Sequence, residues 1–349
     1  MRTTIGWQSV DGTVALQRAT IERRDLRSDD VAVRVDYCGV CHSDLHLLSG
    51  MMPHYKNAAG IVPGHEFTGT VTAVGAEVTR LAPGDRVAVG TLVDSCGACP
   101  MCLVGQENFC LERPTSTYGS PDRVDSTITK GAYSREYVLR EKFAYPLPAG
   151  LDPAGAAPLM CAGITMWEPL RAAGTGVGSR VAVAGLGGLG HLGVKLAAAL
   201  GAEVTVLSRT PAKADDARKL GAVDLLVTTD DARLARAASS FDLILDTISG
   251  PHDLSPLLRL LTLDGTLSVL GFPTQTPVNL MELTFGRRKL SSSGTGGTRH
   301  TAELLSFAAE HGITADIELL PSAQIHQALD RLARGDVRYR FVLDLADLD

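Results

Sequence analysis

The hydrophobic pattern changes character near the middle of the chain. Up to about residue 150, apolar positions come in short alternating or β-branched runs, such as Val31-Ala32-Val33-Arg34-Val35, the stretch from Thr68 to Val74, and Asp85-Arg86-Val87-Ala88-Val89. Turn signals such as Ala82-Pro83-Gly84-Asp85 separate them. Runs of this kind read as strands, and the pattern predicts a small barrel-like, mostly-β domain with long loops. From about Asp152, helical and strand segments alternate. Arg180 to Ala184 reads as a buried parallel strand, the glycine-rich run Gly185-Leu186-Gly187-Gly188-Leu189-Gly190 as a turn, and the Ala/Leu-rich stretch before Gly201 as a helix. A second strand follows from Glu203 to Leu207, and later ones at Asp242–Asp246 and Gly265–Gly271. The fold class expected is α/β, with a doubly wound parallel sheet beside the mostly-β domain.

The tail regains strand character at Ala315–Glu318 and Arg340–Asp344, around an amphipathic helix from Ser322 to Arg334. It is expected to return to the first domain, giving boundaries of 1–152 with 300–349 for that domain and 153–299 for the α/β domain.

Composition narrows the function classes. A net charge of −6 without a basic cluster argues against nucleic-acid binding. The residues after Met1 lack the apolar core of a signal peptide. The longest apolar region, Val181 to Ala202, is interrupted by glycines and Lys195, so no membrane span is expected and the chain reads as cytoplasmic. Cysteines are seven, an odd and clustered set rather than a disulfide framework. Cys96, Cys99, Cys102 and Cys110, within a lobe at about 94–112, have the C-x2-C-x2-C spacing that turns thiolates onto one tetrahedral ion. An iron–sulfur site is the alternative; the lack of a second cluster motif favours structural zinc.

Two further chemistries stand out. Cys41, His65 and the distant Cys161 offer the sulfur and imidazole ligands that a catalytic zinc takes, with one position left open. The strand–glycine turn–helix–strand unit is a dinucleotide fingerprint: Gly185, Gly187, Gly188, Leu189 and Gly190 permit close approach of a pyrophosphate to backbone N–H groups. At the end of the second strand stand Ser208, Arg209 and Lys213, with no acid to accept from a ribose 2′-hydroxyl, so NADP is expected over NAD.

In order along the chain, Cys41-His42-Ser43-Asp44-Leu45-His46, Gly64-His65-Glu66, the four-cysteine lobe, Leu159 to Thr165, the glycine turn and Asp336 to Phe341 resemble the zinc-dependent medium-chain alcohol dehydrogenases, specifically the cinnamyl-alcohol-dehydrogenase-like branch. The resemblance implies a GroES-like catalytic domain around an inserted Rossmann domain. It implies that Cys41, His65 and Cys161 hold a catalytic zinc, with Glu66 behind them as alternative ligand or field-tuning group and Asp44 orienting His65. By the same resemblance, Ser43 and His46 relay the alcohol proton, Thr165 packs on the nicotinamide and His42 contacts the coenzyme phosphate. Cys38 is then a small buried residue rather than a ligand.

The chain departs from its relatives between His46 and His65, where many carry a tryptophan and this one reads Leu48 to Lys56 with Met51-Met52. Met52, Leu92 and Tyr118 are candidate walls of an adaptable apolar pocket. The expected activity is interconversion of primary, aromatic or medium-chain alcohols and aldehydes by an NADP(H)-dependent zinc enzyme that pairs as a homodimer. A polyol or secondary-alcohol dehydrogenase is the alternative within enzymes, and a noncatalytic NADP-binding protein the alternative outside them.

Overall fold

An antiparallel pair, β1 (Arg2–Ser9) and β2 (Leu16–Arg23), leads into the long strand β3 (Asp30–Val40). The computed structural model describes residues 1–10, 14–50, 60–273 and 276–349. These divide into two units, Met1–Cys161 with Gly297–Asp349, and Ala162–Gly296.

In the first unit, β4 (Phe67–Val74) and β5 (Arg86–Val89) extend the sheet from β3, β6 (Leu92–Asp94) pairs with β7 (Thr115–Ser116), and β8 (Glu136–Arg140) lies against the first half of β3. One edge strand is β9 (Ala144–Pro146), paired with β5. Eight of the eleven positions of β3 are buried, Arg34 being the exposed one, and its valines suit so largely buried a strand. Phe67, Tyr137, Phe143 and Phe341 fill the core around it.

The second unit is a six-stranded parallel sheet made of β10 (Arg180–Ala184), β11 (Glu203–Ser208), β12 (Asp224–Val227), β13 (Phe241–Asp246), β14 (Leu261–Val269) and β15 (Lys289–Ser291). Its order is β12-β11-β10-β13-β14-β15, so the chain reverses direction across the sheet between β10 and β13, the point where α/β sheets open a crevice at the strands' carboxyl ends. β14 starts four residues before the expected Gly265, because Leu261 is fully buried and in register with Phe241. The tail forms β16 (Ile317–Pro321) and β17 (Arg340–Asp344); β17 lies antiparallel to the second half of β3, in the first unit's sheet.

One buried cation holds a loop that matters below. Arg23, 7% exposed, donates to the carbonyls of Lys130, Gly131 (2.7 Å) and Glu136 (2.9 Å) and to Ser134 Oγ (2.6 Å). Its guanidinium lies 4.6 Å from the Tyr137 ring centroid, and burial pulls its pKa down to about 10. Arg23→Met keeps the aliphatic stem but strands several carbonyls in a dry interior. It is expected to destabilise the first unit by about 3 kcal/mol, the range for buried acceptors left unpaired, as read from urea unfolding. A loss below about 0.5 kcal/mol, the range of ordinary surface changes, contradicts this.

Candidate functional site

Three donors from separate stretches meet in the first unit. Cys41 follows β3 and caps the helix His42–Leu48, whose third residue, Asp44, reaches back to the Cys41 N–H (2.9 Å). So short a helix is held by tertiary contact, through buried Leu47 and Leu48. His65 follows Gly64, whose φ of +96° and lack of side chain are both required: a Cβ there would stand 2.7 Å from the Tyr133 backbone N. Gly131, Ala132 and Tyr133 pair with this stretch by hydrogen bonds to Val62, Gly64 and Pro63 carbonyls (2.6, 2.9 and 2.9 Å). Cys161 closes the 3-10 turn Ala157–Met160. The Cys41, His65 and Cys161 ligand atoms lie within 4.8 Å of one another, all on buried residues, with His65 Nε2 3.3 Å from Cys161 Sγ.

The surroundings prepare these donors. Asp44, with no exposed surface, accepts from Gly64 N–H (3.0 Å) and His65 Nδ1–H (3.0 Å) on Oδ1 and from Cys41 N–H and the Tyr133 hydroxyl (3.0 Å) on Oδ2. Nδ1 donating to Asp44 leaves Nε2 as the lone-pair face toward the thiols. The Cys161 thiol, hydrogen-bonded to Cys41, holds Cys41 well below the ordinary thiol range, and the same contact together with burial pushes Cys161 up. Arg340 forms a fully buried ion pair with Glu66 and faces both thiols. Burial pushes the Glu66 carboxyl up to about 7, against the pull of Arg340. Gly39 makes room for it, since a Cβ there would stand 2.3 Å from Glu66 Oε1. Glu66 Oε2 is buried without a hydrogen-bond partner among the described residues. Two sulfurs and an imidazole converging in a dry pocket fit zinc, a borderline-soft ion.

The other candidates fall around this centre. Ser43 Oγ is 3.7 Å from Cys41 Sγ, and the His42 and His46 rings, one turn apart, have centroids 6.4 Å apart. The Tyr118 ring stands edge-on to His65 at 5.4 Å. Leu92 packs against the first unit's core, and Met52 lies outside the described residues. Cys38 is buried in β3 and is not among the grouped donors.

Cys96, Cys99, Cys102 and Cys110 form the second donor group, again within 4.8 Å, and none of the seven cysteines is in a disulfide. Backbone N–H groups of Leu111 and Cys102 point at Cys99 and lower its thiol to about 6, the preparation a thiolate ligand needs. The lobe is tied to the helix Thr298–His311 by buried Glu107, which accepts from Thr298 N–H (2.8 Å) and Oγ1 (2.9 Å).

In the second unit the glycine turn is shaped by backbone approach. A Cβ on Gly190 would lie 2.0 Å from the Gly185 carbonyl, whereas one on Gly187 would meet nothing within 4 Å. That open side lies at the start of the helix Gly190–Ala199, where unpaired backbone N–H groups favour an anion. Lys213 Nζ donates to the Leu186 carbonyl (2.7 Å), bringing the end of β11 to the turn beside exposed Arg209 and half-buried Ser208. Thr165, in the helix Ala162–Ala172, donates to the Gly294 carbonyl (3.2 Å).

Sequence reading gave no role to Tyr133 or Arg340. The only local signal for Arg340 was a cation opening the apolar strand Phe341-Val342-Leu343, and Tyr133 carried none.

Residues 27–149 match the family model of the alcohol dehydrogenase GroES-like domain, and residues 188–310 that of the zinc-binding dehydrogenases. The chain is 44% identical to NADP-dependent alcohol dehydrogenase C of Mycobacterium tuberculosis over the whole of both proteins. It is similar in structure to a cinnamyl alcohol dehydrogenase from Sorghum bicolor (TM-score 0.93, 40% identity, 100% of this chain and 99% of that one). It is also similar to a cinnamyl alcohol dehydrogenase from Helicobacter pylori complexed with NADP(H) (TM-score 0.90, 32% identity, 98% of each).

Cys99→Ser is expected to take bound zinc, measured by mass spectrometry, from two equivalents to one. It should also lower the thermal midpoint by roughly 5 °C or more, since about 1 kcal/mol is worth about 2–4 °C in a chain of this order of size. Two zincs at an unchanged midpoint would refute the quartet.

Proposed function

The chain belongs to the zinc-binding alcohol dehydrogenases, and from that premise we propose that it interconverts primary alcohols and aldehydes, aromatic or medium-chain, using NADP(H). The observation that carries this reading is the convergence of Cys41, His65 and Cys161 in one buried pocket. Zinc held by these three would supply Lewis acidity at an alcohol or aldehyde oxygen, and NADP(H) would exchange the hydride.

The residues around that chemistry have separable tasks. Asp44 fixes the His65 ring so that Nε2 faces the metal position. Arg340 and Glu66 balance charge behind the thiols. Ser43 takes the alcohol proton, and His46, one turn further along the same helix, passes it to water, since an imidazole can accept a proton on one nitrogen and give one up from the other. Tyr118, against His65, walls the substrate position. The first unit is then the catalytic domain and the second the coenzyme domain, with His42 and Thr165 as further coenzyme contacts.

For the coenzyme, the acid-free end of β11 supports a 2′-phosphate held by Ser208, Arg209 and Lys213. Tyr118, the pocket candidate that stands against His65, supports apolar aldehydes by offering them an aromatic wall. Exposed Leu280, Met281, Phe285 and Leu290, on and just before the edge strand β15, support a homodimer joined at that edge. No helix among the described residues is long and apolar enough to cross a membrane, and seven free cysteines suit a cytoplasmic setting.

The test is zinc content and NADPH oxidation with cinnamaldehyde on one sample, where two zincs and turnover are expected. Cys161→Ser should lower kcat about 100-fold or more, while NADPH affinity followed by fluorescence stays within about twofold, because the lost ligand serves the reacting oxygen. Unchanged turnover would sink the assignment. Arg209→Asp should raise KM for NADPH roughly 10- to 100-fold, the worth of a charge-assisted hydrogen bond, and leave KM for NADH nearly unmoved. An equal response of the two coenzymes would overturn the reading of that strand end.

A further inference from the structure

We propose that Tyr133 is a positioning residue for the catalytic metal site, acting through Asp44; the proposal rests on Cys41, His65 and Cys161 being zinc ligands. Three observations carry it. The Tyr133 hydroxyl donates to Asp44 Oδ2 at 3.0 Å, and both residues have no exposed surface, so no water can replace it from outside. The same Oδ2 accepts the Cys41 N–H at 2.9 Å, while Oδ1 accepts His65 Nδ1–H and Gly64 N–H, each at 3.0 Å. The phenol therefore completes the set of four donors that fixes the rotation of the carboxylate, and with it two of the three metal ligands.

The second observation is that Tyr133 is itself anchored independently of Asp44. Its N–H bonds the Pro63 carbonyl and its own carbonyl receives the Trp7 N–H (2.7 Å). The buried Arg23 guanidinium clasps the Lys130, Gly131 and Glu136 carbonyls on either side of it. The third is that the ring lies close against Gly64, where a Cβ would come within 2.7 Å of Tyr133 Cδ1. Backbone and ring thus set the position of the His65 stretch, and the hydroxyl sets the group that orients its imidazole. A hydroxyl whose only task was to stabilise the fold would not couple to metal retention; this one sits two hydrogen bonds from the ligand atoms.

Tyr133→Phe in the two-zinc protein keeps the ring and every backbone bond. Zinc release is followed with 4-(2-pyridylazo)resorcinol. The expected result is that one zinc leaves about 10-fold faster or more, while the other, in the four-cysteine lobe, leaves at the wild-type rate. In protein carrying cobalt(II) at the catalytic site, the visible ligand-field bands shift. Asp44→Asn loosens the same zinc, and adding Tyr133→Phe to it produces no further acceleration, because the phenol acts through that carboxylate. 3-Fluorotyrosine placed at position 133 alone, a stronger donor that keeps the wild-type packing, slows release. A wild-type release rate and cobalt spectrum in Tyr133→Phe, fully multiplicative effects in the double variant, or unchanged release with the fluorinated residue would each overturn the proposal. Wild-type protein that takes up only one zinc contradicts the ligand assignment itself, a result distinct from two zincs that are indifferent to Tyr133.

Discussion

The carboxylate of Asp44 is the constraint on which the placing of Cys41 and His65 depends. It lies inside the protein with no exposed surface, and a bare charge in such a place is costly unless every lone pair is occupied. The chain meets that requirement by bringing four donors from three stretches, the start of a short helix, the turn before β4 and the loop at Tyr133. Satisfying one buried charge therefore aligns a cysteine and a histidine that are 24 residues apart in sequence. The Arg340–Glu66 pair repeats the strategy on the other side of the thiols, again as a buried charge that is tolerable only with its partner in place.

How much of this was legible in the sequence depended on how local each signal is. The four-cysteine lobe and the glycine turn declare themselves because their geometry is written in gaps of at most seven residues, and the structure brings those groups together. The fold class was readable for the same reason: β-branched alternation before residue 150 and strand–turn–helix units after it each reflect a single face or a single crossover. Cys161, 96 residues from His65, was a candidate by its ligand chemistry, and the family resemblance rather than spacing tied it to Cys41 and His65.

What sequence could not supply is whatever arises only when distant segments pack. Tyr133 is one tyrosine in a loop until its hydroxyl meets Asp44, 89 positions earlier. Arg340 meets Glu66 across 274 positions. The glycines near residue 296 have a similar origin: a Cβ on Gly296 would press to 2.5 Å on Ile164, and one on Gly297 to 2.0 Å on the Gly105 carbonyl. Their smallness serves backbone packing, a demand invisible along the chain. The pocket candidates were the least legible because side-chain direction decides them; Tyr118 belongs to the first unit's core and also stands against His65, and Leu92 packs partly buried against that core.

The pairing of β17 with β3 carries a consequence for how the protein is made. All three grouped donors lie within the first 161 residues, so a ribosome delivers them before any of the parallel sheet exists. Strand β17, which covers half of β3 and brings Arg340 to the thiols, is delivered after the entire second unit. During synthesis the nascent first unit carries an unpaired strand edge and a Glu66 carboxylate without its cation, and both are resolved by the same late segment. Biogenesis thus has a built-in order: the second unit has to be threaded out before the first can close.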